Sequence, residues 1–430
     1  MIHRLSYLVT KHRFFRLLEL VYTGGAVVLA RVASIFALIY AARLMEPKEY
    51  AGLVYAISLS QIIVHLGSLG WLNLIRKESS RFEFHSTALV KGFVARSFQF
   101  PIFFVLLVQL SLSLLIYFET VSFDISIAIF YALILSVPLL FSQILREYMA
   151  GCKNPVISIV TSETFPLCLM FGMFALFKTQ ALGVAISCAL VSQVVALILQ
   201  IYIMAPCLKE ACASTYIEYR TAEWSKLAAL TVVGYGGRLL MDRMDTIMIA
   251  PMVGMEQMAI FNSTSKVAAV VLLMSLVLIQ FYSPRVAKAF KSSDHQSLKK
   301  MISLQMLLIT AALCPIVMIL FLYPSDVMVF VFGARYQEGA NILWLSVISN
   351  IIFAYALPFS SLLLMADGER AYAVASIIGL SVYAVLCWVL LPLHGIYGAS
   401  LALLIATALM FCILIKAALS RISTLSRCFD

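Results

Sequence analysis

Long apolar runs, separated by short polar segments, dominate the chain. A helix crossing the hydrocarbon core of a bilayer needs about 20 mostly apolar residues. Twelve runs meet that requirement, at 18–42, 50–74, 98–118, 125–145, 156–177, 181–206, 227–251, 259–283, 301–323, 341–365, 372–391 and 397–418. Each predicts a transmembrane helix, so the pattern describes an all-α polytopic membrane protein. The polar segments are short, and the longest on the Lys/Arg-poor side lies near 324–340. That leaves no room for a separate catalytic domain.

Composition agrees with the pattern. Of the 430 residues, 63% are hydrophobic and 12% charged, whereas a soluble domain carries about 25% charged residues. The net charge of +10 would point to nucleic acid in a soluble protein, but here it belongs to the loops. With the N-terminus placed in the cytoplasm, 23 of the 31 Lys and Arg residues fall in cytoplasmic segments, 4 in outside loops (Arg43, Lys48, Lys178, Arg335) and 4 within spans. The positive-inside rule then puts both termini in the cytoplasm, and no nucleic-acid partner is expected. The basic N-terminal stretch is read as an amphipathic lead-in to span one, because no small-residue cleavage site follows a short apolar core. The nine cysteines show no C-x-x-C or His/Cys ligand spacing, so neither disulfides nor a metal site is expected. GxSxG, HExxH, Walker A, GxGxxG and DxD patterns are absent. The NST at 262–264 opens span eight and is read as a chance sequon.

The chain also repeats itself. LMEPKEYAGLVYA (44–56) aligns with MVGMEQMAIFNST (252–264), LGVAISCAL (182–190) with YGASLALLI (397–405), and YMAGCKNP (148–155) with LMADGERA (364–371). The shift grows from 208 to 216 residues, an increase the longer 324–340 loop absorbs. Each half holds six spans, an even number, so the halves enter the membrane in the same orientation. They are expected to form two parallel six-helix bundles, 1–208 and 209–430, related by a pseudo-two-fold axis along the membrane normal, with a cleft between them. A cleft within one chain predicts a monomer.

Charges inside the spans are the candidate chemistry. Each costs about 3 kcal/mol or more near the bilayer centre and persists where it faces protein or a water-filled cavity. RLLMDRMDTIMIA (238–250) carries Arg238, Asp242, Arg243 and Asp245 within span seven. On a continuous helix Arg238 would lie roughly 16 Å in, near the midplane, and Asp242 roughly 22 Å in. The spacing i, i+4, i+7 would put Arg238, Asp242 and Asp245 on one face, with Arg243 well round from it. The repeat sets Arg31 beside Arg238. Two arginines facing across a cleft suit a phosphate or pyrophosphate, which guanidinium binds bidentately. The plainer alternative is an Arg238–Asp242 pair that neutralises itself. Lys266 in span eight is a further cavity cation or a snorkelling side chain. Glu163, ahead of Pro166 in span five, is a proton or cation carboxylate or an interfacial residue. His65 reads as a hydrogen-bonded interior residue, and the Met241/Met244/Met248/Met252 run as packing.

RLMEPKEYAGLVYA (43–56) after span one, MVGMEQMAIFNSTSKV (252–267) after the charged span seven, VFVFGARYQEGANIL (329–343) before span ten and the twelve spans in two halves form one pattern. It resembles the polysaccharide-export branch of the multidrug/oligosaccharidyl-lipid/polysaccharide (MOP) exporter superfamily, the Wzx-type O-antigen flippases. The resemblance implies a MATE/MOP-like fold in a bacterial inner membrane. It implies a cationic cavity that takes an undecaprenyl-pyrophosphate-linked oligosaccharide at the cytoplasmic leaflet, with the lipid tail left among the membrane lipids. It implies coupling to an H+ or Na+ gradient, no organic cofactor, and glycosyltransferases and a polymerase working nearby. On that reading Arg31, Arg238 and Lys266 engage substrate, while Asp242, Asp245 and Glu163 handle the coupling ion or pair with the cations. The rival is a MATE-like multidrug/cation antiporter of the same fold, which would favour carboxylates in the N-terminal cavity. A membrane polymerase or ligase would need a large periplasmic loop, which is missing, so no enzyme is expected.

Overall fold

The computed structural model describes residues 25–427 except 26–28, 31, 81, 83–85, 119–121, 153–154, 179, 212–214, 292–294 and 366–367. Among the described residues the regular structure is helical. In chain order the helices begin with α1 (Val32–Leu44), α2 (Pro47–Gly67), α3 (Trp71–Ser79), α4 (Thr87–Tyr117) and α5 (Phe123–Cys152). Then come α6 (Pro155–Ile159), a π-helical turn (Val160–Thr164), α7 (Phe165–Phe177) and α8 (Leu182–Ala211). After a linker follow α9 (Thr221–Met241), α10 (Met244–Met252), α11 (Met255–Ala268), α12 (Leu273–Lys291), α13 (His295–Leu322), α14 (Pro324–Phe332), α15 (Ala340–Met365) and α16 (Glu369–Arg427).

Local chemistry sets the ends. Pro47 and Pro324 open α2 and α14 in the first turn, where a missing N–H costs nothing and φ is already helical. The Ser86 side chain accepts the Leu89 N–H, capping α4. Glu49, in the repeated acidic motif, caps a different helix: its carboxylate accepts the Leu182 N–H at 2.7 Å at the start of α8. A backbone donor that no intrahelical carbonyl can reach is thereby satisfied.

Two expected spans are corrected. Span two, expected over 50–74, ends at Gly67, because Leu69 and Gly70 take positive φ (44° and 79°) and turn the chain. Trp71–Leu74 therefore belongs to a separate amphipathic helix, α3, with Trp71, Leu72, Leu74 and Ile75 buried on one side. Span seven is not continuous. It stops at Met241 and restarts at Met244, with Arg243 at φ −128°, ψ −10°. The final two expected spans are present as the two arms of α16, helices joined by a non-helical kink at Gly395 (φ 55°, ψ −140°). The Leu390 carbonyl packs against Gly398, although eight residues of straight helix would separate them by about 12 Å. The chain therefore doubles back there.

Among the described residues, nine helices are long and apolar enough to cross a membrane. Burial sorts them. The most apolar window of α2 is 78% buried within the protein and that of α4 only 11%. So α2 is a central post, while α4 offers Phe103, Leu106, Leu107 and Leu110 to the lipid. Helix α2 packs on α4, α5 and α8, and α15 packs on α12, α13 and α16. Contact between the helices before residue 211 and those after residue 221 runs mainly through α2, which meets α9, α10 and α11. Helices α2 and α11 open with the two copies of the repeated motif, and they lie side by side. Small residues let α2 approach its other neighbours closely: Gly52 faces the Leu182 side chain of α8, and Gly67 faces the backbone of Val105 in α4.

Candidate functional site: a charged cavity

A cavity of about 390 Å³ sits where α2, α5, α7 and α8 approach α10 and α11. Ser60, Gln61 and His65 come from α2, Gln143 and Arg146 from α5, and Ser192 and Gln193 from α8. Ser162 and Glu163 come from the π turn, and Pro166 and Leu167 from the start of α7. The second half of the chain supplies Asp242, Arg243 and Lys266. The lining thus holds three fixed cations (Arg146, Arg243, Lys266) against two carboxylates (Glu163, Asp242). In a low-dielectric surround such an excess favours an anion, although Asp245, outside the lining, offsets part of it through its electrostatic interaction with Arg243 and Lys266.

The ion pairs are ordered along one edge of this cavity. Arg76 grips Glu147 bidentately, Nε to Oε2 at 2.5 Å and Nη2 to Oε1 at 3.0 Å. Glu147 is 5% exposed, and a buried carboxylate needs such a partner. Arg146 Nε lies 3.8 Å from the same carboxylate. The far side of Arg146 turns to the cavity, where Nη1 meets Glu163 Oε1 at 2.9 Å and donates to Gln143 Oε1 at 3.1 Å. The backbone of Arg146 is anchored too, since Ser158 Oγ donates to its carbonyl at 2.8 Å.

Glu163 rides the π turn, and the sequence says why the turn is there. Pro166 has no N–H to give the Ser162 carbonyl four residues back, and its ring crowds that carbonyl. The preceding Phe165 N–H instead reaches Val160, five residues back, which is the π pattern. The widened turn sits where Ser162 and Glu163 face the cavity. Such single π turns are frequent at functional sites.

The candidates named from sequence separate. Glu163, Asp242 and Lys266 all line the cavity. Asp245 does not: it lies in the first turn of α10, where its carboxylate accepts the Thr246 N–H at 2.7 Å and sits 3.3 Å from the Thr246 hydroxyl. The continuous helix expected to carry Arg238, Asp242 and Asp245 is interrupted at 242–243, so Asp245 belongs to a different helix from Arg238. Arg31 lies outside the described residues, and Arg238 is placed by its backbone in α9, its side chain likewise outside the described set. His65 bonds its Nδ1 to the Gln61 carbonyl at 2.8 Å, as an interior histidine should, and it also borders the cavity. Two cavity cations were missed. Arg146 falls just beyond the apolar run that ends at 145, but α5 runs on to Cys152 and keeps it inside. Arg243 was set apart on a helical wheel that the break at Asp242–Arg243 dissolves. Its guanidinium lies 3.5 Å from Ser58 Oγ, on α2.

At the Lys/Arg-poor end the two parts of the chain are tied together. Arg43 Nε donates to the Val331 carbonyl at 2.8 Å, and its Nη2 to the Phe330 carbonyl, both at the C-terminal end of α14. Those carbonyls have no helical partner of their own. Beside them Tyr50 meets Tyr336 edge-on, with centroids 6.0 Å apart. At the Lys/Arg-rich end the contact runs through the linker and the start of α9. The Glu218 N–H bonds the Ala88 carbonyl at 3.1 Å, and Trp224 packs edge-on against Phe93.

No protein-family model and no curated protein matches the sequence. Solved structures do match the fold. An inward-facing multidrug-resistance MATE family transporter of the MOP superfamily aligns with TM-score 0.71 at 12% identity, covering 94% of this chain and all of that one. The MATE multidrug transporter DinF-BH aligns with TM-score 0.63 at 15% identity, covering 93% of each chain. A MOP superfamily transporter from Pyrococcus furiosus, described by the reverse polarity of its binding pocket, aligns with TM-score 0.61 at 12% identity over 95% of this chain and 96% of that one. The chain therefore has the all-helical fold of the MATE transporters of the MOP superfamily.

Proposed function

We propose that the protein is an alternating-access membrane transporter for an amphiphile bearing a phosphate-type anion. The reading is a Wzx-type flippase that carries an undecaprenyl-pyrophosphate-linked oligosaccharide from the cytoplasmic to the periplasmic leaflet of a bacterial inner membrane. The observation that carries it is the lining of the central cavity, where Arg146, Arg243 and Lys266 outnumber Glu163 and Asp242. A guanidinium matches a pyrophosphate geometrically, and about 390 Å³ lies within the size range of ligand-binding pockets. The sugar would extend beyond the charged pocket, and the lipid tail would stay in the bilayer. Arg31 and Arg238 remain proposed additions to the same cationic surface. Asp242, Asp245 and Glu163 are proposed to couple transport to H+ or Na+. The halves 1–208 and 209–430 are proposed to rock as two bundles in a monomer, with the Lys/Arg-rich end and both termini in the cytoplasm. The Arg43 and Tyr50 contacts then hold the periplasmic end shut.

A second reading, a MATE-like multidrug/cation antiporter, is favoured by a different observation. Two carboxylates, Glu163 and Asp242, face the same cavity, and the reported structural neighbours include MATE multidrug transporters. One experiment separates the two. Deletion of the gene in its host should strand lipid-linked oligosaccharide on the cytoplasmic face and remove the surface polymer. Intact surface polymer with raised sensitivity to cationic drugs would replace the flippase with the antiporter.

A further inference from the structure

Arg146 stands between two carboxylates that are not equivalent. Glu147 is buried and held by the two-pronged Arg76 contact, with Arg146 Nε 3.8 Å away. Glu163 pairs with Arg146 at 2.9 Å on the cavity side, and both side chains of that pair are partly exposed, 21% for Arg146 and 28% for Glu163. Two different backbones hold them. Arg146 is fixed on α5 through Gln143 and Ser158, whereas Glu163 stands on the π turn that Pro166 imposes. The guanidinium thus keeps Gln143 and Glu147 as neighbours when Glu163 gives way. The edge of Arg146 that Glu163 occupies is the edge a phosphate oxygen in this cavity would need.

We propose that Glu163 is a built-in counterion for Arg146, standing in for the substrate's phosphate group while the cavity is empty and displaced by that group on loading. The inference rests on the anion reading of the cavity and adds a regulatory element to it. A guanidinium in a low-dielectric wall is costly without a partner. Glu163 supplies the cavity-side partner between cycles, so the edge of Arg146 that faces the empty cavity is matched. Loading exchanges one charge-assisted pair for another, and the released carboxylate turns to the polar groups of the wall, among them Gln193, whose buried amide nitrogen has a donor to spare. The same exchange lowers affinity, because the substrate must compete with an internal ligand. Release on the far side then becomes easier.

The test uses the full chain in phosphatidylcholine nanodiscs, with inorganic pyrophosphate and farnesyl pyrophosphate as probes and calorimetry as the readout. Glu163→Gln keeps the shape but removes the competing charge, and it should tighten the Kd for pyrophosphate about five- to tenfold. Arg146→Ala should weaken it at least tenfold, and Arg146→Lys by less. In the double variant Arg146→Ala/Glu163→Gln the gain from the glutamine should vanish, because the two side chains act on one another. Unchanged or weaker binding by Glu163→Gln overturns the displacement. If Arg146→Ala still weakens binding in that case, the anion reading survives without it. No binding of either probe by wild type or Glu163→Gln overturns both. A glutamine-dependent gain seen with inorganic pyrophosphate but not with farnesyl pyrophosphate supports the displacement and overturns the lipid-linked substrate. Matching thermal melts for wild type and Glu163→Gln guard against a folding artefact.

Discussion

Arg43 is the most economical place to test whether the tie at the Lys/Arg-poor end governs access. Its guanidinium reaches two carbonyls, Val331 and Phe330, on a helix far along the chain. These carbonyls end α14, where helix geometry leaves acceptors unmatched and the macrodipole is negative. A hydrogen bond from a charged donor contributes about 1.5–3 kcal/mol when well sheltered. Arg43 is exposed, so water competes and salt screens. The pair is therefore worth about 1–2 kcal/mol in all, and that difference is a factor of roughly 5–30 in an equilibrium. Arg43→Ala should shift the balance by that factor toward states open at this end, provided opening breaks the contact. The assay is labelling of a single cysteine, Ser60→Cys in the cavity wall, in a background with the native cysteines replaced. A membrane-impermeant maleimide is added to whole cells. The labelling rate should rise about 5–30-fold with Arg43→Ala, and Arg43→Lys should fall between, because an ammonium cannot span both carbonyls with one planar fork. A rate unchanged by Arg43→Ala, with the protein at normal abundance, would refute the latch.

Other expectations follow from single contacts. Arg76→Ala leaves Glu147, 5% exposed, without its bidentate partner. Because Arg146 stands near and Arg76 is half exposed, the cost should be about 1–3 kcal/mol, less than for a fully buried pair, read as a lower Tm in detergent; adding Glu147→Gln should recover most of it. Gly67→Ala places a methyl 3.0 Å from the Val105 Cα, a backbone atom that cannot rotate away, so α2 and α4 must part at a cost of about 1–3 kcal/mol, again read by Tm. Arg243→Ala and Lys266→Ala should each weaken pyrophosphate binding about tenfold or more, since a charge-assisted contact is worth about 1.5–3 kcal/mol. Arg31→Ala and Arg238→Ala should each impair export of surface polymer without loss of protein from the membrane, and normal export in both would remove that pair from the site.

The class of fold was readable because insertion into a bilayer constrains sequence so heavily. Backbone groups must be satisfied within the span, so an apolar run of sufficient length is already a helix. The repeated motif at 44–56 and 252–264 was readable as well, and it marks α2 and α11, the two helices that meet side by side. The interior chemistry was only half legible, and the misses share one physical cause. Hydropathy locates where a helix leaves the lipid, not where it stops. α5 continues for seven residues beyond the apolar run that ends at 145, so Arg146, the first of them, is held by helix on both sides and reaches the cavity. The helical wheel failed at the other arginine for the converse reason. It assumed continuity through Asp242–Arg243, the place where continuity costs most. Adjacent opposite charges on an unbroken apolar helix point about 100° apart, and a narrow polar cavity cannot serve both directions at once. Breaking the helix at that dipeptide brings both residues to one wall beside Lys266. A charged pair in neighbouring positions within an apolar run is thus better read as a signal for a helix break than as two points on a wheel. Glu163 carried a similar signal in the proline three residues on, which takes away a backbone donor and obliges the turn before it to widen. At Asp242–Arg243 and at Glu163 the polar residue and the departure from regular helix occur together. The lipid tolerates irregular backbone only where it faces protein or water, so the π turn at Glu163 and the break at Asp242–Arg243 each mark a wall of the cavity.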